Sequence, residues 1–204
     1  MEISGINAAQ VKELREKSGA GVMECKRALE EACGDMESAL RILREKGISD
    51  AKRREQKEAK QGAIDCYIHI GRQIGAMVEL NCETDFVARN SEFLEVAHLI
   101  ALQVAACNPI YLRRDLVPEA VIEEQKEIFK KRCISQGKPE KVWGKIIEGL
   151  LDKFYQEVCL LEQPFVKDPS ISVNELIAQA SSRLGEKIAV RRFARFQVGQ
   201  EEEE

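Results

Sequence analysis

The sequence predicts an α+β protein: a small three-helix module, then a three-stranded antiparallel sheet with helices packed on one face and an inserted helical hairpin. Three observations carry this. Residues 1–47 hold three short helical patterns, each opened or closed by a capping or glycine signal. From Ala63 the period switches to two, first over Ile64 to Ile70, then over Ile74 to Cys82, and once more over Ile188 to Val198. Between the second and third of these strands lie long helical patterns. Two of them are joined only by Gln136-Gly137-Lys138-Pro139, so they form a hairpin over about 119–160.

In chain order, Asn7-Ala8-Ala9-Gln10 reads as a capping box that opens the first helix. Ser18-Gly19-Ala20-Gly21 stops it, two glycines permitting a tight turn at positive φ. Val22, Cys25, Leu29 and Ala32 form the stripe of the second helix, with Met23 off that stripe. Gly34 ends it, Asp35 caps the third, and Gly47 ends the third. Residues 48–62 mix Lys52, Arg53, Arg54, Lys57 and Lys60 with Asp50, Glu55 and Glu58, and read as a solvated helical linker. The core then spans 63–199. In its first strand Ile64, Cys66, Ile68 and Ile70 form the apolar set, and Gly71-Arg72-Gln73 turns the chain into the second. A helix from Ser91 to about Cys107 stops at Asn108-Pro109, and Pro118 sits at the first turn of the next. Leu161 to Pro169 reads as irregular, and Ser172-Val-Asn-Glu175 caps a helix ending at Gly185. The last strand puts Val190, Arg192, Ala194, Phe196 and Val198 on one side, and residues 200–204 form an acidic tail.

Composition narrows the function classes. The 204 residues are 44% hydrophobic and 32% charged, as in a globular chain with a generous charged surface. Setting aside Glu201 to Glu204, the body carries 31 acidic against 31 basic residues, which argues against bulk binding to nucleic-acid phosphates. No run of 18 apolar residues exists to span a membrane. The start has neither a basic n-region nor an Arg-rich presequence, so a cytoplasmic protein is expected. Seven cysteines without C-x-x-C spacing read as reduced, buried thiols, with Cys66 and Cys82 on apolar strand faces. His69 and His98 lack a ligand set. No nucleophile-elbow, P-loop or dinucleotide pattern is present, so neither cofactor nor resident metal is expected.

The stretch Asn81-Cys-Glu-Thr-Asp-Phe-Val-Ala-Arg-Asn90 sits where the second strand meets a helix. Such corners lie on the surface, where function concentrates. Spacing leaves Phe86 two readings: tucked into the core beside a capping Thr84 or Asp85, or exposed and held rigidly for insertion into a partner.

Four segments together resemble the bacterial translation elongation factor Ts family: Leu14 to Leu29, Leu80 to Arg89, Gln163 to Asp168 and Arg191 to Gly199. They cover nearly the whole chain in the family's order. The resemblance implies a guanine nucleotide exchange factor for elongation factor Tu, not an enzyme, that binds the GDP complex and promotes GDP release. It implies a UBA-like N-terminal module docking through Arg15, Val22 and Met23. It also implies that Thr84, Asp85, Phe86 and Val87 dislocate Mg2+ from the partner GTPase. The chain has one core copy where longer members have two, which implies a homodimer, and it lacks their C-terminal helical module. Val22-Met23 stands where the family carries a methionine pair. Two competing readings remain: a UBA-like adaptor for another protein through residues 1–47, and an enzyme using Asp85 with His69 or His98.

Overall fold

A computed structural model describes residues 7–18, 20–55 and 57–200, with backbone only for 47–55. The elements in order are α1 (Ala8–Ser18), α2 (Val22–Glu31), α3 (Met36–Glu55), β1 (Gln61–Ile68), β2 (Ile74–Cys82), α4 (Asp85–Ala88), α5 (Ser91–Cys107), α6 (Glu119–Ser135), α7 (Glu140–Val158), β3 (Pro164–Phe165), β4 (Asp168–Ser172), α8 (Val173–Leu184) and β5 (Ala189–Gln197). Short 3-10 turns precede α6 and follow α7. The mixed class is as expected: helices with a three-stranded antiparallel sheet in the order β1-β2-β5. The chain divides into two compact units. The first holds Met1–Ala63, Asn81–Leu94 and Ile177–Ala189; the second holds Ile64–Leu80, Glu95–Leu176 and Val190–Glu204.

In the first unit, α1 to α3 close over a thin core of Leu14, Cys25, Ala28, Leu29, Ala39 and Leu43. Burying a leucine contributes roughly 1.5–3 kcal/mol, so a core this small leans on its caps. Those caps form as the sequence suggests. The Asn7 N–H donates to Gln10 Oε1 at 3.1 Å, and Ser38 N–H donates to Asp35 Oδ1 at 2.7 Å. Hydrogen bonds from Ser38 hold the Asp35 carboxyl below its usual range. Gly34 takes φ +86°, and its N–H reaches the Leu29 carbonyl at 2.8 Å. Two expectations change. Gly21 has φ −61° and caps α2 in an extended conformation rather than at positive φ, while Gly19 lies outside the described residues. The third helix does not end at Gly47 but runs on to Glu55. A helical glycine costs only about 1 kcal/mol relative to alanine, and no proline follows to stop the helix.

In the second unit, the β1–β2 hairpin closes with Arg72 N–H donating to the His69 carbonyl at 2.8 Å. Gly71 and Arg72 both take positive φ there. Asp65 meets His98 of α5 at 3.3 Å, and Tyr67 stacks edge-on to the same ring. By strand alternation, Ile64, Cys66 and Ile68 face away from α5. On β2, Ala76, Val78 and Leu80 are buried and Met77 is exposed. Arg192 pairs with Glu79 at 2.7 Å, while Arg195 Nε donates to the Ala105 carbonyl of α5. Met77, Ala194 and Phe196 therefore share the face turned from the helix. The predicted apolar set of β1 is thus on the open side, and Cys66 is exposed rather than buried. Cys33 and Cys107 are exposed as well, whereas Cys25, Cys82, Cys133 and Cys159 are buried. The hairpin of α6 and α7 forms where expected. Trp143 donates Nε1–H to the Lys138 carbonyl at 2.8 Å, closing its turn, while Ile128, Ile134 and Val142 stay exposed. The stretch read as irregular, Leu161 to Pro169, holds β3 and the start of β4, which pair antiparallel.

Candidate functional site

Strand β2 ends in the buried Cys82, whose S–H donates to the Thr84 carbonyl at 3.1 Å. Burial, aided by the charge of Glu186, pushes that thiol up to about 11. Thr84 is extended, at φ −122° and ψ 158°, and caps α4. Its Oγ1 accepts the Val87 N–H at 3.4 Å, and its carbonyl accepts the Ala88 N–H at 3.2 Å. Asp85 pairs with Arg89 at 3.1 Å, an exposed i,i+4 contact that contributes about 0.3–0.5 kcal/mol. No residue of α4 is buried, and Phe86 is 84% exposed. The core reading of Phe86 is therefore wrong. Leaving such a ring in water forgoes roughly 1.5–3 kcal/mol of burial.

A residue that the sequence reading passed over holds this corner. Glu186 Oε2 accepts the N–H groups of Glu83 and Thr84 at 3.1 and 3.0 Å, and its Oε1 accepts the Thr84 hydroxyl at 2.6 Å. In return Glu83 Oε1 accepts the Lys187 N–H at 2.7 Å. Lys57 Nζ reaches Glu83 Oε2 at 2.6 Å, and Lys187 Nζ reaches the Lys57 carbonyl at 2.7 Å. The available signal was indirect. Backbone donors at a corner need acceptors, and Glu186 follows the glycine that ends α8.

The other predicted residues lie at the α1–α2 turn of the same unit. Arg15 is exposed, and so are Val22 at 49% and Met23 at 60%. The turn is fixed locally: Gly21 N–H donates to Glu24 Oε2 at 3.1 Å and Ala20 N–H to Ser18 Oγ at 3.2 Å. Asp85 and the two histidines each have other partners: Arg89 for Asp85, Asp65 for His98, and the Tyr67 hydroxyl for His69. Among the described residues no three His, Cys, Asp or Glu side chains group to hold a metal, and no helix is long and apolar enough to cross a membrane.

Exposed apolar side chains on capped turns are the kind of surface through which a protein contacts a partner. Residues 8–200 match the family described as Elongation factor TS. Among curated relatives, Elongation factor Ts of Thermodesulfovibrio yellowstonii is 54% identical over 199 residues, covering 98% of this chain and 99% of the relative. That of Moorella thermoacetica is 53% identical over 195 residues, 96% of each chain. That of Carboxydothermus hydrogenoformans is 51% identical over 195 residues, 96% of this chain and 90% of the relative. The chain belongs to the elongation factor Ts family, the guanine nucleotide exchange factors of elongation factor Tu.

Proposed function

We propose that this chain speeds GDP release from elongation factor Tu by two contacts. Arg15, Val22 and Met23 dock on the GTPase, and the corner of Thr84, Asp85, Phe86 and Val87 presses into the surroundings of its Mg2+. The observation that carries the reading is Phe86, 84% exposed on a one-turn helix with no fully buried residue. Mg2+ bridges nucleotide phosphates and protein oxygens and demands near-ideal octahedral geometry, so a small displacement of its ligands weakens nucleotide binding without covalent chemistry. Linkage makes factor and GDP mutually antagonistic on the GTPase.

In this reading residues 1–47 are a UBA-like docking module, 48–62 a charged connection, 63–199 the core with its hairpin at about 119–160, and 200–204 an acidic tail. The factor works in the cytoplasm as a homodimer. Support for the dimer comes from the open sheet face, where Ile64, Ile68, Met77 and Phe196 are exposed. Contiguous apolar patches on a sheet usually mark an interface.

The test is stopped-flow release of a fluorescent GDP from elongation factor Tu. Phe86→Ala should keep most of the docking affinity and lose about a hundredfold in maximal release rate, or about 2.7 kcal/mol at about 1.4 per decade. Met23→Ala should instead weaken association. Chelating Mg2+ should shrink the difference between wild type and Phe86→Ala. Wild-type release by a folded Phe86→Ala protein would sink the wedge.

A further inference from the structure

We propose that Glu186 is the positioning residue of the exchange corner: its carboxylate sets the geometry in which Phe86 is presented. This rests on the exchange role proposed for that corner. A helix of one turn is not stable by itself, because nucleation fixes several residues for a single hydrogen bond. α4 has four residues, and none of them is buried. Val87 and Ala88 are half-buried, and the rest of its order comes from its N-terminal anchor. That anchor is Thr84, and Thr84 is held by Glu186 through both its N–H and its hydroxyl.

By donating its proton to Glu186 Oε1 at 2.6 Å, Thr84 turns its lone pairs free to accept the Val87 N–H. Glu186 thus acts on α4 through Thr84. The second carboxylate oxygen takes the two adjacent backbone donors, Glu83 N–H and Thr84 N–H, which fixes the direction in which the chain leaves β2. Glu186 itself is tied from the far side. Ser181 Oγ donates to its carbonyl at 2.5 Å, and the next residue, Lys187, gives its N–H to Glu83. The segments 83–84 and 186–187 therefore hold each other by exchanging main-chain donors for side-chain acceptors. Charge-assisted bonds of this kind are about twice as strong as neutral ones.

The role is geometric, so shape should matter more than charge. Glu186→Gln keeps an oxygen for the two N–H groups, and its amide can donate to one lone pair of Thr84 Oγ1 while the other still accepts the Val87 N–H; it should release GDP within about twofold of wild type. Glu186→Ala removes every acceptor, and Glu186→Asp keeps the charge but falls one methylene short. Both should lower the maximal release rate about tenfold or more, while the factor concentration for half-maximal release moves less than threefold. The second half of that split separates positioning from docking. Amide hydrogen exchange at Val87 and Ala88 should speed up in the same two variants and not in Glu186→Gln. If Glu186→Ala fails to fold, Glu186→Asp and Glu186→Gln carry the comparison.

A parallel Phe86→Ala series keeps the two claims apart. Wild-type release by Phe86→Ala would refute the exchange reading of the corner itself. Loss in Phe86→Ala with wild-type release in Glu186→Ala or Glu186→Asp overturns the positioning role and leaves that reading standing. If both lose activity, the double variant Glu186→Ala/Phe86→Ala should be no slower than Phe86→Ala alone, because the two act through one contact. Additive losses, or a Glu186→Gln as impaired as Glu186→Ala, would also overturn it.

Discussion

Cysteine chemistry shows how environment sorts chemically identical side chains. Burial is the first cause that raises both Cys82 and Cys159 to about 11; nearby Glu186 adds to it for the first and Glu162 for the second. The thiolate is the nucleophile, so raising the pKa removes reactivity. At pH 8 an alkylating reagent should label Cys33 and Cys66 and leave Cys82 and Cys159 intact until the chain is unfolded. Peptide mass spectrometry checks this, and labelling of Cys82 in the folded protein would contradict it. The pH dependence has a definite sign. The folded pKa lies above the unfolded one, so the contribution is complete below about pH 9 and is lost as pH climbs towards 11. Cys82→Ala should therefore flatten the fall in melting temperature over that window. The sequence alone made all seven cysteines buried. It missed Cys33 because that residue occupies the tight end of α2 at φ 51°, and Cys66 because alternation identifies two faces without saying which one a helix covers. Phe86 was undecidable for a related reason: spacing locates a corner but not the direction of the ring.

Elements were most legible where their signals are local. The caps at Asn7, Asp35 and Ser172 form as their sequences imply, because donor and acceptor lie within three residues. The turn at Gln136 to Pro139 likewise specified the hairpin. Long-range ties left no such trace. Gln103, fully buried on α5, gives its amide N–H groups to Gln163 Oε1 and the Pro164 carbonyl, and accepts the Val166 N–H at 2.8 Å. Gln163 in turn donates to the Glu157 carbonyl at 2.9 Å. This amide pair fastens the end of α7 and the β3–β4 pair to α5, and nothing in the periodicity announces it. Gln103→Leu keeps the volume but strands these partners, at about 1–3 kcal/mol for each group left unsatisfied. At roughly 2–4 °C per kcal/mol in a chain of this size, the melting temperature should drop by several degrees. An unchanged melting curve would mean the partners find water or one another.

At the scale of the whole molecule, the open sheet face makes assembly the next quantity to measure. A 23.0 kDa chain that pairs through this face should scatter light as a species of twice that mass at micromolar concentration. Replacing Ile68 and Phe196 by aspartate should return it to the single mass, because paired carboxylates would be desolvated across the contact. A single-chain mass for the wild type throughout the micromolar range would end the dimer proposal. The fold class was legible because period-two and helical stretches change over at Ala63 and Ser91. The continuation of α3 past Gly47 was not, because one glycine is a weak stop signal. One consequence follows from the membership of the first unit, which contains both the α1–α2 turn and the Thr84 corner. Under the proposed function, once the turn is engaged the corner no longer has to find its target by free diffusion. Its encounter becomes intramolecular, at an effective concentration that for short connections is on the order of millimolar. In the proposed mechanism Phe86 then needs little affinity of its own, because the turn has already supplied the docking.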